Sequence, residues 1–173
     1  PPRSTPLYSS AASDVYKRQI RAYKAIVWGI PKFSSGKIST FIGRSDKNRK
    51  KMAVFNEEKH NSRNAITHWR VLKKNKESDI SLVECILETG RTHQIRVHLD
   101  HISHPVIGDP LYGHGYKTRI NKIKNNFKIL IEKQSNSQAL HAYKLGFEHP
   151  ITKENLKFET EPPDTMQKIV LSF

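Results

Sequence analysis

Apolar and polar residues alternate with a period of two through Ala65–Leu72: Ala65, Thr67, Trp69 and Val71 stand on one side, Ile66, His68, Arg70 and Leu72 on the other. That is the periodicity of a strand. Ala22–Trp28 is rich in β-branched and aromatic residues and stops at Gly29-Ile30-Pro31, a strand followed by a turn. Lys37–Ile42 and Lys51–Phe55 are two shorter strands joined by the basic loop Gly43–Lys50. Ser81–Glu88 is a second long strand, and the polar segment Lys73–Asp79 before it reads as a hairpin loop. Thr92–Ile102 changes period, with Ile95, Leu99 and Ile102 at i, i+4 and i+7, which predicts a helix ending before His104-Pro105. Gly108–Gly115 is a loop. Tyr116–Glu132 carries Ile120, Ile123, Phe127 and Leu130/Ile131 at helical spacing, with lysines elsewhere, and predicts one basic amphipathic helix or a partly ordered insertion. Ala139–Phe147 and Asn155–Thr160 are strands around a turn at His149-Pro150, and Asp164–Leu171 adds a last helical turn. Strands dominate, with helices inserted between long hairpins. The predicted class is α+β with a mixed, mostly antiparallel sheet.

The 173 residues suit one domain with a real core. Composition narrows the partners. Thirty Lys+Arg against sixteen Asp+Glu give a net charge of +14. Such an excess favours a polyanion, because each neutralised phosphate releases condensed counterions. No apolar stretch approaches the ~20 residues of a membrane-spanning helix, so no membrane partner is expected. No secretory signal pattern is present. The lone Cys85 lies between apolar neighbours, reads as a small core residue, and fits a reducing, cytoplasmic setting. Residues 1–19, rich in Pro, Ser and Ala, show no useful periodicity; Ser10–Gln19 resembles translated adapter sequence. We expect residues 1–19 to be non-native and disordered, and residues 20–173 to be the natural part.

Candidate chemistry concentrates in Leu87-Glu88-Thr89-Gly90-Arg91-Thr92-His93-Gln94-Ile95-Arg96-Val97-His98-Leu99 and in Gly108-Asp109-Pro110-Leu111-Tyr112-Gly113. Gly90 is expected to let the backbone turn sharply between strand and helix. The helix should be polar-faced, with Arg91 and Arg96 one turn apart and able to reach phosphates near its N-terminus. The plainer alternative pairs Arg96 with Asp100 at i, i+4. His98, His101 and His104 are spaced by three, but Pro105 breaks the helix and neither Cys nor Glu lies close by to complete a tetrahedral set, so no metal is expected.

These motifs resemble the signature of the RluA/RluD family of pseudouridine synthases. Arg21–Gly29 resembles the family's Tyr-containing strand. Ile42-Gly43-Arg44 with Lys51–Val54 resembles its basic loop and following strand, and Ala65–Leu72 its central strand. Gln138–Ala142 and His149-Pro150 match near the end, and the resemblance runs from Ile20 to the C-terminus. It implies a pseudouridine synthase-type sheet, here N-terminally truncated. It also implies isomerisation of uridine in RNA, with large-subunit ribosomal RNA the expected substrate, and no cofactor, nucleotide or metal. A catalytic Asp attacks the nucleoside, a Tyr takes the sugar proton, and an Arg pairs with the Asp and the RNA. By position the Tyr is Tyr23 and the Arg is Arg96; Arg44, Arg49, Arg91, His93 and Gln94 are the expected RNA-binding residues.

One departure matters. The family's Asp lies in a His-Arg-Leu-Asp stretch followed by Thr-Ser-Gly, upstream of the Tyr strand, and that stretch is absent. None of Asp14, Asp46, Asp79, Asp100, Asp109 or Asp164 has its context; Asp109, in Gly-Asp-Pro, reads as a turn-stabilising residue. The expectation is a C-terminal fragment of the catalytic domain, inactive alone, with an unpaired sheet edge, exposed apolar surface and poor solubility. The alternatives are a non-catalytic basic RNA-binding module and, more weakly, a metal-dependent hydrolase using the histidines.

Overall fold

The computed structural model describes residues 19–113, 115–134 and 137–173. The expected non-native segment 1–19 lies, apart from Gln19, outside the described residues.

A seven-stranded antiparallel sheet organises the described residues, in the order β3-β2-β4-β5-β1-β6-β7. The strands are β1 (Ile20–Trp28), β2 (Ser35–Arg44), β3 (Met52–Phe55), β4 (Ser62–Asn75), β5 (Ile80–Leu87), β6 (Leu140–Glu148) and β7 (Asn155–Glu159). The helices that accompany it are α1 (Gln94–His101), α2 (Tyr116–Ile120), α3 (Asn125–Gln134) and α4 (Asp164–Leu171). The α+β class and the antiparallel sheet follow the apolar pattern. Every pairing between named strands is antiparallel, so the mixed character expected of the sheet is not seen among the described residues.

The core sits at the centre of the sheet. β5 is buried at seven of its eight positions, because it lies between β4 and β1 and both of its faces are covered at the Ile80 end. Ile26, Trp28, Ile80, Val83, Ile107, Ile131 and Ile169 join there in one cluster. Val106 continues the sheet beside Val27, and the Ile107 N–H bonds to the Ile26 carbonyl at 2.9 Å, which anchors the chain as it leaves α1. A smaller cluster of Ile42, Ala65, Val97 and Tyr112 seats the other flank of α1 near β3.

Two local expectations are corrected. The single helix expected over Tyr116–Glu132 is two, α2 and α3, separated by a turn in which Lys122 and Ile123 bond back three residues to Arg119 and Ile120. Ile120, Ile123 and Ile131 all reach the same cluster, so the apolar spacing runs unbroken through the turn. The helix after Gly90 begins at Gln94 rather than Thr92, and Gln94 through Leu99 are all buried, so its polar residues Gln94, Arg96 and His98 are turned inward rather than presented to solvent. The sheet edges are short. β3 has four residues; β7 has five, and its Phe158 is exposed and stacked on Phe147.

Candidate active site and nucleic-acid interface

The turn Glu88–His93 is stapled to β4 by Gln94. The Gln94 amide oxygen accepts the Arg91 N–H and the Thr89 O–H, each at 2.9 Å. Its amide nitrogen donates to the Ile66 carbonyl and the Thr67 hydroxyl, each at 3.0 Å. All four hydrogen-bonding positions of this buried amide are therefore filled from within the chain. The left-handed residue at the helix start is His93, with φ 56°, and not Gly90. Arg91 is half-buried, and its Nε donates to the Asn64 carbonyl at 2.9 Å.

Arg96 lies on the side of α1 away from Gln94 and His98, toward the Gly108–Gly113 turn. Its Nε and Nη2 donate to the two Asp109 oxygens at 2.6 and 2.8 Å. The Asp109 side chain has no exposure, and that of Arg96 only 10%. Asp109 Oδ1 also accepts the N–H groups of Leu111 and Tyr112 at 2.9 and 3.0 Å, closing the turn. Burial alone would raise the Asp109 carboxyl; the Arg96 and backbone hydrogen bonds and the Arg96 charge outweigh it and hold the group below its ordinary value. The bonds to Asp109 raise Arg96 in turn. The carboxylate that pairs with Arg96 is thus Asp109 rather than Asp100. Helical spacing finds only neighbours within a turn, and Asp109 reaches Arg96 through a folded loop.

Tyr112 packs over this pair. The Arg96 guanidinium sits 5.1 Å from its ring centroid. Its hydroxyl accepts the Met52 N–H at 2.8 Å and lies 3.1 Å from His93 Nδ1. Burial, helped by the Arg96 charge, lowers the His93 pKa, which favours the neutral imidazole as an acceptor there. His98, fully buried, bridges Thr40 at 3.0 Å and Thr67 at 2.8 Å through its two ring nitrogens. Burial, with His101 adding in the same sense, pushes its pKa down to about 4. His104 Nδ1 bonds to the Trp28 carbonyl at 3.0 Å. His98 and His104 therefore bond to separate partners, and among the described residues no group of three His, Cys, Asp or Glu side chains is arranged around a common point.

Tyr23 is half-buried in β1, opposite Cys85, which in turn is opposite Trp69 in β4. Strand parity puts Tyr23 on the same face as Thr67, against which α1 packs. No hydrogen bond or ion pair joins Tyr23 to Arg96 among the described residues. Arg44, the last residue of β2, and Arg49, in the β2–β3 loop, are exposed, and Arg44 Nη1 donates to the Arg49 carbonyl at 2.7 Å. Sequence reasoning missed a cluster on the opposite face. There the buried Glu84 carboxylate accepts Arg70 Nε at 2.5 Å and the Tyr143 hydroxyl, beside a cavity of about 630 Å³. The alternation in β4 and β5 could have paired Arg70 with Glu84; the bulge that admits Tyr143 could not be read.

A family model described as RNA pseudouridylate synthase matches residues 9–101. The chain belongs to the RNA pseudouridylate synthase family. It is 42% identical over 168 residues to an uncharacterized RNA pseudouridine synthase of Chlorobaculum parvum, covering 96% of this chain and 50% of that protein. It is 40% identical over 169 residues to the ribosomal large subunit pseudouridine synthase D of Neisseria meningitidis serogroup A, covering 97% and 42%. Among solved structures, human RNA pseudouridylate synthase domain containing 1 superposes with a TM-score of 0.67 at 26% identity, covering 90% of this chain and 62% of that one. These likenesses make it an RluA/RluD-like family member with the pseudouridine synthase fold. The chain spans about half the length of the curated relatives it matches. None of its described helices is long and apolar enough to cross a membrane.

Proposed function

We propose that this chain forms the tyrosine- and arginine-bearing part of an enzyme that isomerises uridine to pseudouridine in large-subunit ribosomal RNA, in the cytoplasm and without cofactor, nucleotide or metal. The observation that carries this reading is the 40% identity, over 97% of the chain, to a protein named for that substrate. The geometry supports it. Tyr23 and α1 share one face of the sheet, and the exposed Arg44 and Arg49 provide a grip on phosphates. Arg91 and His93 border the turn that enters α1, while Gln94 shapes that turn from within.

In this reading a uridine leaves the RNA stack at a cost of about a few kcal/mol, offset by pocket contacts and backbone charge. A carboxylate attacks the nucleoside as the N-glycosidic bond breaks, and the base rotates; Tyr23 takes the sugar proton and later returns it. The base carbon then bonds to the sugar as the carboxylate leaves; that carbon loses a proton while the freed ring nitrogen gains one, so the net change is an isomerisation. Arg96 keeps the attacking carboxylate ionised. Asp109 occupies Nε and Nη2 of that guanidinium, so Nη1 is the edge that meets the second carboxylate. None of the Asp residues of this chain stands in the family's His-Arg-Leu-Asp context, and in this reading the chain by itself isomerises nothing. It binds RNA without turnover. The test is to incubate the purified 173-residue chain with a large-subunit ribosomal RNA transcript and map pseudouridine by carbodiimide-blocked primer extension. No new stops are expected; clear turnover overturns the proposal that the nucleophile lies elsewhere.

A further inference from the structure

Tyr112 lies where the Gly108–Gly113 turn meets β3, in the same cluster as Val97 of α1. On one side its backbone N–H is held by Asp109, which is held by Arg96. On the other, its hydroxyl lies against the outer main-chain edge of β3, accepting the Met52 N–H at 2.8 Å and lying 3.4 Å from the Met52 carbonyl. Among the described residues β3 is an edge strand paired with β2 alone, and it follows directly on the basic loop that carries Arg44, Lys47, Arg49 and Lys50. The loop closes on itself through Ser45 N–H to the Lys51 carbonyl at 3.0 Å and Arg44 Nη1 to the Arg49 carbonyl at 2.7 Å. These bonds tie the loop to the adjoining ends of β2 and β3. Tyr112 is 2% exposed, too buried to contact RNA itself.

We propose that Tyr112 is a positioning residue that registers the basic β2–β3 loop against Arg96. Phosphates gripped by the loop are thereby held at one fixed spacing from the nucleotide presented to Arg96. This rests on the RNA reading above. A phenol suits this role because its rigid ring spans from the Asp109 turn to the strand, and its hydroxyl fills an edge that a phenylalanine would leave open.

The experiment measures the affinity of the full 173-residue chain for a ribosomal RNA fragment at several salt concentrations, for the unsubstituted chain, Tyr112→Phe, Arg44→Ala/Arg49→Ala, and the triple variant. Each phosphate that the protein ceases to neutralise flattens the log–log salt dependence by about 0.7–0.9. Tyr112→Phe is expected to flatten it by the equivalent of about one to two phosphates, as the arginine pair does, and the triple variant by no more than the pair alone. A merely structural role would lower thermal stability and leave the slope in place. An unchanged slope in Tyr112→Phe, or effects that add in the triple variant, overturns the inference while leaving the RNA reading intact. Absence of salt-dependent binding by the unsubstituted chain overturns that reading and this inference with it. Hydrogen exchange on the unsubstituted chain needs no variant. The Met52 amide is expected to be protected relative to those of the exposed loop, and exchange as fast as theirs removes the hydrogen bond on which the inference stands.

Discussion

Replacing Asp109 by Ala isolates the buried ion pair on which α1 and the Gly108–Gly113 turn depend. The substitution leaves the Arg96 guanidinium, 10% exposed, without its carboxylate, and removes the acceptor of two backbone N–H groups. Breaking a buried pair from one side costs about 3–5 kcal/mol, because a charge stays desolvated with nothing to balance it. Taking about 4 kcal/mol and a denaturant slope of about 2 kcal/mol per molar, the urea midpoint falls by about 2 M. That is a large share of the about 5–15 kcal/mol typical of a domain. Circular dichroism during urea unfolding of the chain measures it. Arg96→Met/Asp109→Leu removes both charges together and is expected to recover the part due to the stranded guanidinium, while the Leu111 and Tyr112 N–H groups stay without their acceptor. A midpoint shift under about 0.5 M for Asp109→Ala, the size expected of a solvent-exposed pair, would refute the reasoning.

Four further outcomes follow from the same geometry. His98 has a native pKa of about 4 against about 6.5 unfolded, so the unfolded chain binds the extra proton; stability is complete above about pH 6.5 and falls by up to about 3 kcal/mol as pH drops toward 4. Thermal melts across that range check it, and His98→Asn should flatten the slope. Asp109 acts lower down, because its depressed native pKa contributes stability that is present above the unfolded value near about 3.9 and lost only as pH falls through the native one. Gly108→Ala places a Cβ 2.2 Å from the Gln134 and Ser137 carbonyl oxygens at φ +73°, and is expected to cost more than about 3 kcal/mol by chemical denaturation. Gln94→Ala leaves the Thr67 hydroxyl and the Arg91 N–H without this partner and should cost about 2–4 kcal/mol on the same assay.

The strands were legible in the sequence because each has a period of two or a short apolar run; hairpins account for the pairings β2–β3, β4–β5 and β6–β7, whereas β2–β4, β1–β5 and β1–β6 join strands that are not consecutive and could not be read. β1, β4 and β5 came through within a few residues. What did not come through depends on contacts between distant segments. The break between α2 and α3 is invisible in the apolar spacing because Ile120, Ile123 and Ile131 face one cluster across it. Arg96 has a visible neighbour in Asp100 and a hidden partner in Asp109, thirteen residues on, and only the folded turn makes the second pairing possible. His98 resembled a metal ligand by spacing, whereas two threonines from β2 and β4 occupy its nitrogens. The family signature marked Tyr23, Arg91 and His93 without showing that Gln94 spends its whole amide on holding their turn.

Central to the proposed function is a division of the site: Tyr23 and Arg96 on this chain, the nucleophilic carboxylate on a His-Arg-Leu-Asp segment. The most direct measurement fuses the corresponding upstream segment of the Neisseria meningitidis relative to Ile20–Phe173 and quantifies pseudouridine in large-subunit ribosomal RNA by primer extension. Pseudouridine is expected from the fusion, and none when Tyr23 is replaced by Phe or the segment's Asp by Asn. A folded, RNA-binding fusion that forms none, or one whose yield survives both substitutions, would contradict it.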